Sequence, residues 1–170
     1  MADSDQQGGH PDQISSISVV CTGNICRSPM GEVMLSEALA DTHPGVTVMS
    51  CGIANYHVGD GADPRAVKQL ESMGYDGSQH VASQFGKRDA EADLLLAMDR
   101  GHARELMRLG VPSERIRLFR SFDGDSMPSG DAQPEVADPY YNGPAEFAEA
   151  AEQIQASLPG IVEYLDERNG

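Results

Sequence analysis

The sequence predicts one α/β domain, a parallel sheet of about four strands with helices on both faces. Three observations carry that expectation. β-rich apolar runs alternate with segments of helical periodicity, the order that strand–helix–strand crossovers and parallel pairing require. One run, ADLLLAM (Ala92 to Met98), is apolar without interruption, as a strand buried on both faces must be. The chain has 170 residues and no internal repeat, enough for one well-buried core. The domain is expected over residues 14–170. Residues 1–13, MADSDQQGGHPDQ, are polar and lack both a positive start and an apolar core, so they read as a disordered leader and not as a signal peptide or membrane span.

Taken in order, ISVV (Ile17 to Val20) is the first strand and CTGNICRSP the loop after it. Met30, Val33, Met34 and Ala38 recur at helical spacing, so a helix is expected from Pro29, with Ser28 as its cap. VTVMSCGI (Val46 to Ile53) is the second strand. A helix should run from Pro64 to about Met73, capped by Asp63 and closed by Gly74. Tyr75 to Phe85 has little periodicity and reads as loop. After the third strand a helix extends to about Leu109, Gly110 ends it, and IRLF (Ile116 to Phe119) forms the fourth strand. Ser121 to Val136 is rich in Ser, Asp, Gly and Pro, a loop long enough to suggest function. The last helix begins near Pro144 with an apolar stripe of Phe147, Ile154, Leu158, Ile161 and Leu165. Pro159 and Gly160 should bend or divide it.

The chemistry concentrates in the first loop. A loop running from a strand into a helix N-terminus gathers backbone N–H groups and the positive end of the helix dipole, which makes an anion site. Arg27 adds a planar guanidinium that can hold two anion oxygens. Cys21, separated from Arg27 by five residues, is aimed into that field, which favours a thiolate nucleophile. Gly23 permits close backbone approach, and Asn24 tolerates the left-handed region. A net charge of −15 argues against nucleic acid and anionic membrane as partners. Three cysteines, an odd number without an export signal, indicate reduced thiols and a cytoplasmic protein. His43, His57 and His102 show no metal spacing with them, so no metal is expected and each reads as solvated or structural.

The stretch VCTGNICRSPM resembles the signature of the low-molecular-weight protein tyrosine phosphatases, with the bacterial branch most similar, and the resemblance covers nearly the whole chain after Ile14. It implies that family's Rossmann-like sheet and cofactor-free hydrolysis of protein phosphotyrosine through a phosphocysteine. By the same resemblance Cys21 is the nucleophile, and Thr22, Gly23, Asn24, Ile25, Cys26, Arg27 and Ser28 cradle the phosphate, with Ser28 also steadying the leaving thiolate. Asp138 in ADPYY matches the general acid. Tyr140 and Tyr141 match an aromatic wall, joined by Tyr56 where the family usually has Trp. Ser50 and His80 match residues that support Asn24. Cys26 matches a thiol that can pair with the nucleophile under oxidation. Cys51 and Val81 depart from the usual small and basic residues, with no role assigned. Implied partners are phosphotyrosine proteins, a cognate tyrosine kinase such as one controlling surface polysaccharide, and phosphate, vanadate or sulfate as pocket anions.

Two related activities compete. Protein arginine phosphatases resemble the chain throughout but usually have Thr where it has Ile25, and a dry, narrow pocket favours an aryl phosphate. Arsenate reductases need further cysteines, and Gln79 to Asp93 contains none. A phosphate-binding module without catalysis is the third alternative, for which neither Cys21 nor Asp138 would be needed.

Overall fold

The computed structural model describes residues 13–124 and 135–169. Strand β1 (Ser16–Cys21) is the central element, because it is paired on both sides. Helix α1 (Arg27–Leu39) follows, then β2 (Thr47–Gly52), α2 (Pro64–Ser72) and a single turn, α3 (Lys87–Ala90). The chain continues through β3 (Leu94–Ala97), α4 (Arg100–Arg108), β4 (Ile116–Leu118) and α5 (Pro144–Asn169). The strands lie in the order β2-β1-β3-β4 and all pairs are parallel. Strand order therefore reverses between β1 and β3, and the crevice at the carboxyl ends of strands at such a reversal is where ligands bind in open α/β sheets. Cys21, the last residue of β1, stands there, level with Gly52 of β2.

Alternation along the strands divides the core in two. Ile17, Val19, Cys21, Leu94 and Leu96 pack with Met30, Met34 and Leu35 of α1, Leu70 of α2 and Phe147, Ile154 and Ile161 of α5. Val20, Cys51, Leu95 and Ala97 pack on the opposite face with Leu106 of α4 and Val111. Both faces of the sheet are covered, which is why LLLA is apolar at every position. No helix among the described residues is long and apolar enough to cross a membrane.

Three local expectations need correction. Helix α1 starts at Arg27, two residues before Pro29, with Cys26 at the cap position and no side-chain cap bond. Pro29 is tolerated in the first turn because N–H groups there have no intrahelical partner to lose. Ser28 is thus not the cap; its hydroxyl turns to Cys21. Phe119 leaves the fourth strand for a 3₁₀ turn, Phe119–Phe122, and is fully buried. The single turn α3 lies just past the Tyr75 to Phe85 segment, at residues to which no element is assigned from the sequence. Finally, α5 is not divided: Pro159 lies inside one continuous helix.

Packing explains that last result. Ser157, Leu158 and Ile161 are buried around the proline, and a Cβ placed on Gly160 would lie 2.1 Å from the Phe122 carbonyl oxygen. The helix is pressed against the 3₁₀ turn at the one position where only hydrogen fits. Gly160→Ala is expected to destabilise the protein by about 2 kcal/mol through overpacking. That corresponds to a Tm lower by roughly 4–8 °C for a domain of this size. Thermal denaturation checks it, and an unchanged Tm would mean that the turn yields freely. The leader expectation falls mostly outside the described residues, as do positions 125–134 of the loop expected from Ser121 to Val136.

Candidate active site

The loop between β1 and α1 is held from behind by the peptides around it. The carbonyls of Cys21, Thr22 and Ile25 accept from the N–H groups of Ile53 (3.0 Å), Ala54 (2.9 Å) and Asp63 (2.8 Å). The Asn24 carbonyl accepts from His80 Nε2 at 2.7 Å. In a trans peptide the next N–H points opposite to the carbonyl, so these outward bonds turn the amides of Thr22, Gly23, Ile25 and Cys26 inward, as an anion-binding concavity requires. The loop lies directly on β2. A Cβ on Gly52 would sit 2.7 Å from the Thr22 carbonyl oxygen and 3.1 Å from the Asn24 nitrogen, so any larger residue would displace the loop.

Asn24 is the one described non-glycine residue at positive φ, 60°, and its side chain orders the hydrogen bonds beneath the thiol. The Ser83 N–H donates to Asn24 Oδ1 (2.9 Å), which fixes the orientation of the amide. Asn24 Nδ2 therefore donates to Ser28 Oγ (2.7 Å) and Ser50 Oγ (3.0 Å). The Ser50 hydroxyl in turn donates to Glu32 Oε1. Ser28 Oγ, accepting from Asn24, lies 2.9 Å from Cys21 Sγ. Once that sulfur is ionised it can only accept, so the Ser28 hydroxyl is the donor to it.

Arg27 is buried, 3% exposed, with its charge distributed among three oxygens. Nη1 donates to Asp99 Oδ2 (3.1 Å) and the Val136 carbonyl (3.0 Å). Nη2 faces Asp138 Oδ2 at 3.5 Å. The Asp138 side chain is half-exposed, and its Oδ1 accepts from the Tyr140 N–H (3.1 Å), a turn that spans Pro139. Arg65 anchors this segment, donating to the carbonyls of Tyr140 (3.0 Å) and Asn142 (2.7 Å) while stacked over Phe147. Asp63 holds Arg65 in turn, and that side-chain bond keeps the Asp63 carboxyl below the usual range despite its partial burial.

Cys21, Thr22, Gly23, Ile25, Cys26, Arg27, Tyr56 and Asp138 line one pocket together with His57, Tyr140 and Tyr141. Tyr140 and Tyr141 meet edge to face, 4.8 Å between centroids, and Tyr141 and Tyr56 are largely exposed at the rim. Asn24, Ser28, Ser50 and His80 stand behind the loop in the network described above. The positions read from the sequence are therefore either in the pocket or bonded beneath it. All three cysteines are free thiols. Burial, reinforced by Asp63, pushes the Cys26 thiol well above its ordinary range, and burial with Asp89 does the same for Cys51. Among the described residues no cluster of His, Cys, Asp or Glu could hold a metal ion.

Sequence reasoning missed Asp99, Glu32 and Arg65, and took His57 and His102 as solvated or structural. His57 lines the pocket wall. Asp99 follows the carboxyl end of β3, the strand beside β1, a position that strand order marks as close to the loop. Burial raises its carboxyl, but His102 and Arg27 together outweigh that and hold it below the ordinary range.

Residues 16–169 match the family model described as low molecular weight phosphotyrosine protein phosphatase. The low molecular weight protein-tyrosine phosphatase A of Mycobacterium tuberculosis is 46% identical over 154 residues, covering 89% of this chain and 92% of the relative. Among solved structures, Vibrio vulnificus Wzb in complex with benzylphosphonate superposes with a TM-score of 0.78 at 29% identity, covering 89% of this chain and 99% of that one. The YwlE arginine phosphatase from Geobacillus stearothermophilus superposes with a TM-score of 0.75 at 25% identity, covering 89% and 93%.

Proposed function

Because this chain belongs to the low molecular weight phosphotyrosine protein phosphatase family and is a protein-tyrosine phosphatase, we propose that it hydrolyses phosphotyrosine in two steps through a phosphocysteine on Cys21. The observation that carries this reading is the Cys21 thiol at the centre of a loop whose Cys21, Thr22, Asn24 and Ile25 carbonyls are tied outward, with the Ser28 hydroxyl beneath it and Arg27 at its far end. In the first step Cys21 Sγ attacks phosphorus and the tyrosine oxygen departs on the opposite side, taking the proton of Asp138. Loop amides and Arg27 stabilise the equatorial oxygens. In the second step Asp138, now ionised, takes a proton from water as that water attacks phosphorus. Cys21 leaves as a thiolate, which the Ser28 hydroxyl stabilises. No cofactor takes part.

Tyr56, Tyr140 and Tyr141, all in the pocket lining, form the wall for the phenyl ring of the substrate. Phosphate, vanadate and sulfate are the anions such a cradle would take, as benzylphosphonate is taken by the Vibrio vulnificus protein. A tyrosine kinase acting on the same substrates is the expected counterpart.

Substrate class rests on Ile25, buried in the pocket lining. Its side chain gives an apolar floor beside phosphorus that suits an aryl ester better than the polar guanidino nitrogen of phosphoarginine. The test is kcat/KM on matched peptides bearing phosphotyrosine, phosphoarginine or phosphoserine. Wild type should prefer phosphotyrosine, and Ile25→Thr should move the tyrosine-to-arginine ratio toward phosphoarginine by about 10-fold. A wild-type preference for phosphoarginine would overturn the substrate class and leave the cradle chemistry standing.

A further inference from the structure

His102 is a buried titratable side chain that the two steps above do not use, and it is aimed at the phosphate loop. It lies in the first turn of α4, three residues after Asp99, whose Oδ1 caps the helix by accepting from the His102 N–H at 3.0 Å. The two side chains then diverge. Asp99 Oδ2 accepts from Arg27 Nη1 at 3.1 Å, whereas His102 Nε2 lies 2.9 Å from Thr22 Oγ1. Thr22 follows the nucleophile and Arg27 closes the loop, so one helical turn grips both ends of the cradle.

The direction of the Thr22 bond follows from the other ring nitrogen. His102 Nδ1 lies 3.2 Å from Asp99 Oδ1, off the line of a good hydrogen bond and with no other partner. A lone pair there would face a carboxylate oxygen, which repels it. Burial lowers the His102 pKa to about 4 against the opposing pull of Asp99, so the ring carries one proton at neutral pH. That proton belongs on Nδ1, toward Asp99. Nε2 is then an acceptor, and the Thr22 hydroxyl donates to it. The hydroxyl is committed away from the pocket, and the Thr22 side chain is fixed at the edge of the anion site.

We propose that His102 is a positioning residue of the phosphate loop, fixing Thr22 through Nε2 while Asp99, one turn earlier, fixes Arg27. The proposal rests on the phosphatase reading above and adds to it a brace outside the pocket. Loop and guanidinium are set in one geometry before substrate arrives, and the preorganised cradle favours the five-coordinate phosphorus of the transition state.

Thr22→Val removes the donor at nearly constant shape, His102→Leu removes the acceptor, and His102→Gln returns an acceptor near the position of Nε2. Thr22→Val and His102→Leu should each lower kcat/KM for a phosphotyrosine peptide by about 10-fold and raise the vanadate inhibition constant by a similar factor. Vanadate adopts the five-coordinate geometry, and its inhibition constant does not depend on the fraction of enzyme that is folded. The double variant should lose no more than the worse single, and His102→Gln should recover most of the loss. Nitrogen-15 shifts of wild-type His102 should report a neutral ring protonated on Nδ1 at pH 7. Multiplicative losses in the double variant, an unchanged vanadate constant in Thr22→Val, or a proton on Nε2 would each overturn the proposal. Thr22→Val decides the matter even if His102→Leu does not fold. Failure of the phosphatase reading is distinguishable, because wild type itself would then not turn over p-nitrophenyl phosphate without added metal.

Discussion

Cys21→Ser is expected to lower kcat on the order of 10⁴-fold or more while leaving the affinity for inorganic phosphate within about 3-fold of wild type. The two effects separate because they come from different atoms. Phosphate is held by the inward-facing loop amides and by Arg27, whose anchors at Asp99 and Val136 do not involve the thiol. Attack needs an ionised sulfur, and a serine hydroxyl at the same place is far less acidic. The Ser28 hydroxyl, its Oγ 2.9 Å from Sγ, stabilises a thiolate as both nucleophile and leaving group, so a hydroxyl at that position has nothing equivalent to gain. Steady-state turnover and phosphate titration by calorimetry measure the pair. Loss of phosphate binding together with turnover would mean that the thiol shapes the cradle as well as reacting in it.

Asp138→Asn should slow the enzyme in proportion to how badly the leaving group needs a proton. A tyrosine phenol has an ordinary pKa of about 10 and leaves poorly as an anion, so kcat/KM for a phosphotyrosine peptide is expected to fall by about 10²–10⁴-fold. p-Nitrophenyl phosphate, whose phenolate departs readily, should lose about 10-fold or less in the same step. Phosphate affinity is held or increased, because the substitution neutralises a carboxylate 3.5 Å from Arg27 Nη2. A series of substituted phenyl phosphates gives the dependence directly. Equal losses across the series would remove Asp138 from the acid role and leave it as a partner of Arg27.

What could be read from the sequence divides along a physical line. Sheet and helices were legible because periodicity and continuous apolar runs report which faces are buried, and in this fold both faces of β1 and β3 are. The phosphate loop was legible because its parts are contiguous: thiol, left-handed Asn24, Arg27 and helix start lie within one short stretch. Asp99, His102 and Arg65 belong to elements that reach the loop only through tertiary packing, so no local spacing marked them. Ser28 and Pro159 show local rules overruled. The serine had a more specific use for its hydroxyl than capping, and the burial of Ser157, Leu158 and Ile161 keeps α5 continuous past a proline.

The phosphocysteine itself is the most direct object to measure. Asp138→Asn mixed rapidly with ³²P-labelled p-nitrophenyl phosphate should release one nitrophenol per enzyme in a burst, because the loss of Asp138 also slows attack by water. Peptide mapping after the quench should place the label on Cys21. Linear nitrophenol release from the first time point, with continuing turnover and no label on the Cys21 peptide, would contradict covalent catalysis at this residue.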